Sequence, residues 1–282
     1  MASSRPHLFA LCWLLLALAA CSGNARAPLP AQTLPAHTSR VHSWAGPEIL
    51  AADLGRIEQQ LRSPSTPDSS LQRLGRDQQA AYIQLAAHSA WLPLVLDRMP
   101  ADVRPAVQTN LDAGAELRAL SSGAPPSVRL PDWKVVAPAP AAELLGYYRE
   151  AEGAYGVSWS YLAAINLVES AMGRIQGNSS AGAKGPMQFL PSTWDEYGQG
   201  GDINDPHAAI LAAARFLKAR GAPAAMDQAL YGYNPSDHYV RAISLYAQEM
   251  QRSERAYLGY YQWRVYVDTV QGGLFLDQGF GS

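Results

Sequence analysis

The sequence predicts an all-α fold closed at its C-terminal end by a short β-hairpin. Three observations predict it. Apolar residues recur at helical spacing along most of the chain, prolines and capping residues stand where such stretches begin, and apolar–polar alternation occurs only near the end.

The first element is a processing signal. Arg5 and His7 precede an apolar run over 8–20 that is too short to span a bilayer comfortably. The run ends in Leu18-Ala19-Ala20-Cys21, which resembles the lipobox of bacterial lipoproteins. That resemblance implies removal of 1–20 and acylation of Cys21. An incidental Cys21, with ordinary cleavage nearby after a small residue, is the alternative. The chain has 2 cysteines and Cys12 lies in the removed segment, so the mature protein is expected to fold without a disulfide. Roughly 260 residues remain, enough for one large or two smaller cores. Lys and Arg total 22 against 24 acidic residues, which argues against a nucleic-acid partner.

Residues 21–45 are rich in Ala, Pro, Ser and Thr, with Pro28, Pro30 and Pro35, and read as a flexible tether. Next come three helical stripes: Leu50, Leu54, Ile57 and Leu61; Leu71, Leu74, Tyr82 and Leu85; Val103, Val107 and Leu111. Pro93 and Pro100 break the chain between the second and third. The whole reads as a helical module over 46–122 without recognisable chemistry. A linker at 123–140 follows, marked by Pro125-Pro126 and Pro138-Ala139-Pro140.

A second helical domain is predicted over 141–252. It opens with a helix over 141–154 and continues with another N-capped by Ser158, running through Trp159, Leu162, Ile165 and Val168. A helix starts at Pro191. Asp205-Pro206 starts a further one, which ends at Gly221 after Lys218 and Arg220. The next is expected from Tyr239, capped by Ser236 or Asp237. The extension 253–282 is aromatic-rich, with Tyr257, Tyr260, Tyr261, Trp263 and Tyr266; these read as a packed flap or as a sugar subsite. Within it, Trp263, Val265 and Val267 alternate with polar positions before Gln271-Gly272-Gly273, the hairpin signal.

Several catalytic patterns fail. Residues 177–184 have the outline of a phosphate loop, but Ala183 separates Gly182 from Lys184 and a helix precedes it. Ser179 lacks the second glycine and the strand of a nucleophile elbow. The 6 histidines show no metal-ligand spacing, so neither a metal nor another cofactor is expected. His238 and Asp237 read as a catalytic pair less well than as part of a helix start. Glu169 is different. It closes an apolar helix, where the dipole and partial burial both favour the neutral acid. Taken alone, that is equally the description of a surface glutamate at a frayed helix end. Downstream, a small-residue loop over 178–191 carries Gln188 between apolar neighbours, suited to a pocket wall. Tyr231, Tyr233 and Tyr239 surround Asn234 where one helix ends and another begins, and aromatic faces suit sugar rings.

The order Glu169-Ser170, then Ser179 through Gly182-Ala183 and Gly185-Pro186-Met187-Gln188, then Gly232-Tyr233-Asn234, resembles the lytic murein transglycosylases with a goose-lysozyme-like fold. The resemblance covers about 141–250. Pro186 stands where leucine is commonest, and Gly232 where alanine usually precedes Tyr-Asn. By position, the resemblance implies that Glu169 is the catalytic acid and that Ser179 faces the reacting sugar. It implies that Gln188 holds an acetamido group, that Leu190 lines the groove and that Tyr233 lies near the acid. For Asn234 it leaves a choice between substrate binding and tying the helix start.

The resemblance supplies only one carboxylate, which implies the lytic reaction rather than the two-carboxylate one. Glu169 would protonate the oxygen between N-acetylmuramic acid and N-acetylglucosamine, then deprotonate the muramyl C6 hydroxyl, giving a 1,6-anhydro product. Two rivals stay open: a hydrolytic muramidase recruiting Asp195, Glu196 or Asp202, and a non-catalytic peptidoglycan-binding lipoprotein. The expected partners are peptidoglycan strands and, through Cys21, a membrane; cell-wall assembly partners are not indicated. The expected location is the periplasmic side of the cell envelope. In a Gram-negative host, Ser22 after the cysteine implies the outer membrane.

Overall fold

The computed structural model describes residues 34–121 and 126–282. The expected signal peptide, Cys21 and most of the tether lie outside them. In chain order the elements are β1 (Thr38–Arg40), α1 (Pro47–Arg62), α2 (Asp68–Ala87), a 3-10 turn (Ser89–Trp91), α3 (Leu92–Arg98) and α4 (Arg104–Leu120). Then follow β2 (Lys134–Val135), α5 (Ala141–Tyr155), α6 (Trp159–Ser170), β3 (Ile175–Gln176), α7 (Pro191–Tyr197) and α8 (Pro206–Ala219). The chain closes with α9 (Met226–Tyr233), α10 (Asp237–Arg252), α11 (Glu254–Tyr261), β4 (Val265–Thr269) and β5 (Gly272–Leu276).

At the centre is α6, buried on every side from Leu162 to Ser170. A helix apolar all round must be enclosed by others, and α5, α8, α10 and α11 pack against it. Two of its polar residues are satisfied within the protein. Asn166 accepts from the Tyr148 hydroxyl at 2.6 Å, and Ser160 accepts from Gln251 at 3.0 Å. Asp205 caps α8 by accepting from the Ala208 N–H at 2.7 Å, and Gly221 follows that helix with φ +107°. Ser158 does stand at the N-cap of α6, but its hydroxyl makes no capping bond.

Four expectations need correction. Residues 38–45 are not tether: β1 pairs with β5, Thr38 opposite Leu276, so the expected hairpin is the core of a three-stranded sheet. Trp44 is buried, and its backbone and the Gln84 amide exchange bonds of 2.7 and 2.8 Å. The stretch expected as a linker is docked, with β2 pairing with β3 and Ser127 bridging to Thr269. Pro93 opens α3 rather than merely breaking the chain, because its missing N–H falls in the first turn. Finally, α10 begins at Asp237, two residues before Tyr239, and neither Ser236 nor Asp237 caps it with a side chain.

The N-terminal helices are not a separate body. Leu50, Leu54, Leu85 and Val107 form one cluster, but Ala113 and Leu117 of α4 belong to the main core with Ile243 and Ala247 of α10. A buried ionic cluster also spans the junction. Glu58, fully buried, pairs with Arg62 and accepts from the Tyr82 hydroxyl and from Gln78 at 3.0 Å; Arg62 also pairs with Glu249 of α10. The aromatic extension is likewise packed. Tyr257 and Tyr260 are fully buried, their hydroxyls bonded to the Ala141 carbonyl and to Asn110, so neither ring can take a sugar.

Candidate active site

Glu169 sits in the last turn of α6 and is 6% exposed. Burial pushes its carboxyl up from the usual 4.5 to about 8, partly countered by the hydrogen bond that the Tyr239 hydroxyl donates to Oε1 at 2.8 Å. Among the described residues no group donates to its other oxygen, which is left for a ligand. The acid is therefore protonated at neutral pH and has one oxygen fixed in direction.

The chain then turns back sharply. Ala171, Met172 and Gly173 all take left-handed conformations, with φ of 52°, 63° and 83°. Two consecutive non-glycine residues there cost roughly 1–2 kcal/mol each, and strain of this kind persists where surroundings over-determine it. The constraint comes from Ser170. Its hydroxyl donates to the Pro186 carbonyl at 2.5 Å and accepts from the Gly173 N–H at 2.9 Å, while Asn166 adds a second donor to Pro186 at 2.8 Å. Glu169 is thus locked to the loop that carries Gln188.

That loop is a tight turn over 184–189. Lys184 and Phe189 exchange backbone bonds of 2.9 Å, and Gln188, at φ +51°, closes it. Gly185 is required here, since a Cβ would lie 1.9 Å from the Ile203 carbonyl. Proline fits at 186 because the carbonyl, not an N–H, is the group that the helix grips. Gly232 has its own explanation: a Cβ would meet Arg220 at 2.9 Å, and that guanidinium lies over the Phe216 ring at 4.5 Å.

Gln188, Leu190 and Tyr233 meet, with Phe189, Thr193 and Phe216, around a small pocket of about 20 Å³. Gln188 donates to the Gly185 carbonyl at 2.9 Å, leaving its buried Oε1 without a partner, an acceptor suited to a ligand N–H. Tyr233 donates to the Met187 carbonyl at 2.6 Å and lies parallel to Tyr239, ring centroids 6.4 Å apart. Ser179 is half-buried in the loop, its hydroxyl accepting from the Ala183 N–H at 2.9 Å; among the described residues no hydrogen bond joins it to Glu169. Asn234 ends α9 and is buried, and its side chain makes no hydrogen bond among the described residues.

What sequence reasoning missed is the bond from Tyr239 to Glu169; the residue was expected as a helix start and as one of the aromatics around Asn234. A buried tyrosine needs a partner for its hydroxyl, and that requirement was the available signal.

Residues 146–255 match the family model described as the transglycosylase SLT domain. Among curated proteins and solved structures, none matches this chain. The matched segment runs from within α5 to the first turn of α11 and so encloses Glu169, the turn that grips it and both stacked tyrosines. By that match residues 146–255 are a transglycosylase SLT domain, of lysozyme-like helical fold, and the match supports action on peptidoglycan.

Proposed function

We propose that the protein cleaves the bond between N-acetylmuramic acid and N-acetylglucosamine and forms a 1,6-anhydromuramyl end, with Glu169 acting first as acid and then as base. One observation carries this reading: Glu169 is buried and alone. Burial and the Tyr239 bond are the influences on its titration, and no second carboxylate contributes. The residues outside the described ones, 1–33 and 122–125, contain no Asp or Glu. Asp195, Glu196 and Asp202, the candidates for a hydrolytic partner, are all exposed. A lone acid suits an intramolecular nucleophile, which needs no activated water.

In this reading Tyr239 holds Oε1 while the free oxygen protonates the glycosidic oxygen. Burial favours the return of a proton to the carboxylate, so the same group then draws the C6 hydroxyl proton. The Gln188 Oε1 accepts from an acetamido N–H, Leu190 and Tyr233 shape the groove, and Ser179 and Asn234 face the sugar. Mass spectrometry of fragments released from purified peptidoglycan tests the chemistry. Anhydro ends are expected; ends heavier by one water would establish hydrolysis instead. Glu169→Gln is expected to lower turnover by about 10²–10⁴, and unchanged cleavage would remove Glu169 from the mechanism.

Lipidation at Cys21 and outer-membrane attachment complete the proposal, resting on the sequence before Cys21. Among the described residues no helix is long and apolar enough to cross a membrane. Detergent partitioning of cells carrying Cys21→Ala tests it: the variant is expected in the soluble envelope fraction, and continued membrane fractionation would refute the anchor.

A further inference from the structure

We propose that the pocket where α4, α6 and β4 meet is a binding site for a free single-chain amphiphile with an anionic head group. It does not depend on the glycan-cleaving reading. The pocket is a narrow cleft open to solvent, with about 60 Å³ of room for the centre of a water-sized sphere, and its walls are largely apolar: Leu111 and Leu117 from α4, Leu167 and Val168 from α6, and the rings of Trp263 and Tyr266.

Two guanidinium groups stand in this apolar lining. Arg118 is half-buried, has no carboxylate within 4 Å, and its side chain makes no hydrogen bond among the described residues. No carboxylate can come from the remaining residues, because 1–33 and 122–125 contain none. Desolvation, only partly offset by Tyr246, holds its pKa below the ordinary arginine value. Arg264 binds Ser39 at 2.8 Å and Asp277 at 3.2 Å through Nη1, but its buried Nε has no partner. An unpaired cation and an unsatisfied donor in an apolar wall are costly.

This combination selects a ligand class. A purely apolar ligand would fill the walls and leave Arg118 still less solvated. A small hydrophilic anion would pair with Arg118 and leave the walls empty. A cationic amphiphile would be repelled. An alkyl chain ending in a carboxylate satisfies both parts at once. Gly114, facing the pocket from α4, keeps the slot open: a Cβ there already comes within 3.3 Å of Arg118 Nη1.

The test is isothermal titration calorimetry on the full chain with octanoate, decanoate and dodecanoate below their critical micelle concentrations, and with decanol and decylammonium. Binding of one decanoate per chain is expected, about tenfold or more tighter than decanol or decylammonium. Lengthening the chain by one methylene is expected to tighten binding about threefold to fourfold. Arg118→Gln is expected to weaken decanoate about tenfold and leave decanol unchanged, and Gly114→Leu to block both. The proposal is overturned if decylammonium binds as tightly as decanoate, if Arg118→Gln binds decanoate like the parent, or if decanoate does not bind up to its solubility.

Discussion

Replacing Glu169 by glutamine is expected to move stability in the variant's favour by an amount that grows with pH. Burial raises the carboxyl from 4.5 to about 8, so between these values the folded protein keeps a proton that the unfolded chain has lost. The unfolded state then binds fewer protons, and stability falls as pH rises through that window, levelling off above about 8. From the two values, the cost is negligible at pH 4 and about 3 kcal/mol at pH 7. Glutamine does not ionise. It can still accept from the Tyr239 hydroxyl but leaves an amide N–H to satisfy, a pH-independent cost of about 1–3 kcal/mol. The diagnostic quantity is therefore the change in the variant-minus-parent difference, about 3 kcal/mol between pH 4.5 and 7. Urea unfolding of both proteins, followed by circular dichroism at several pH values, measures it. A difference that stays constant with pH would mean that Glu169 titrates normally in the folded protein, and the argument for a neutral acid would fail.

Three further predictions follow from neighbouring contacts. Tyr239→Phe removes the bond that holds the Glu169 pKa down; the alkaline limb of the pH–activity profile is expected to move upward and kcat to fall about tenfold, and an unmoved limb would show that the tyrosine does not act through Glu169. Ser170→Ala releases the Pro186 carbonyl and the Gly173 N–H, with an expected stability loss of about 1–3 kcal/mol and reduced glycan cleavage, read by denaturant unfolding and turnover. Arg62→Met leaves Glu58 and Glu249 buried without their shared cation; a loss of about 3–5 kcal/mol is expected near neutral pH, and a change below 1 kcal/mol would mean the cluster contributes little to holding the N-terminal helices.

Most helices were legible because each buries one stripe, and a stripe is written directly in the spacing of apolar residues. Glu169, Gln188, Leu190 and Tyr233 were singled out by their order in the chain, and the last three line one pocket. What escaped had weaker local signals. Thr38-Ser39-Arg40 shows no alternation, and it forms a strand because β5 offers an unpaired edge. Tyr239 lies among Val240, Ile243 and Tyr246 on the buried face of α10 and reads as ordinary core. Ser158 occupies its cap position without making the bond that usually explains a serine there. The proline- and alanine-rich stretch after α4 resembled a linker because composition registers low complexity and not the pairing of Val135 with Ile175 of β3.

The placement of α4 bears on how this enzyme can be dissected. Its Ala113 and Leu117 fill the groove along α10, and Glu116 pairs there with Arg241 at 2.7 Å and His238 at 2.6 Å, next to Tyr239. The family match starts only at residue 146. A chain trimmed to the matched segment would lay bare an apolar flank of α10 and free the end of that helix which steadies the acid. Excision of the catalytic part, or its transplantation onto another protein, must therefore carry α4 along, since the boundary of the recognisable family is not the boundary of the cooperative folding unit.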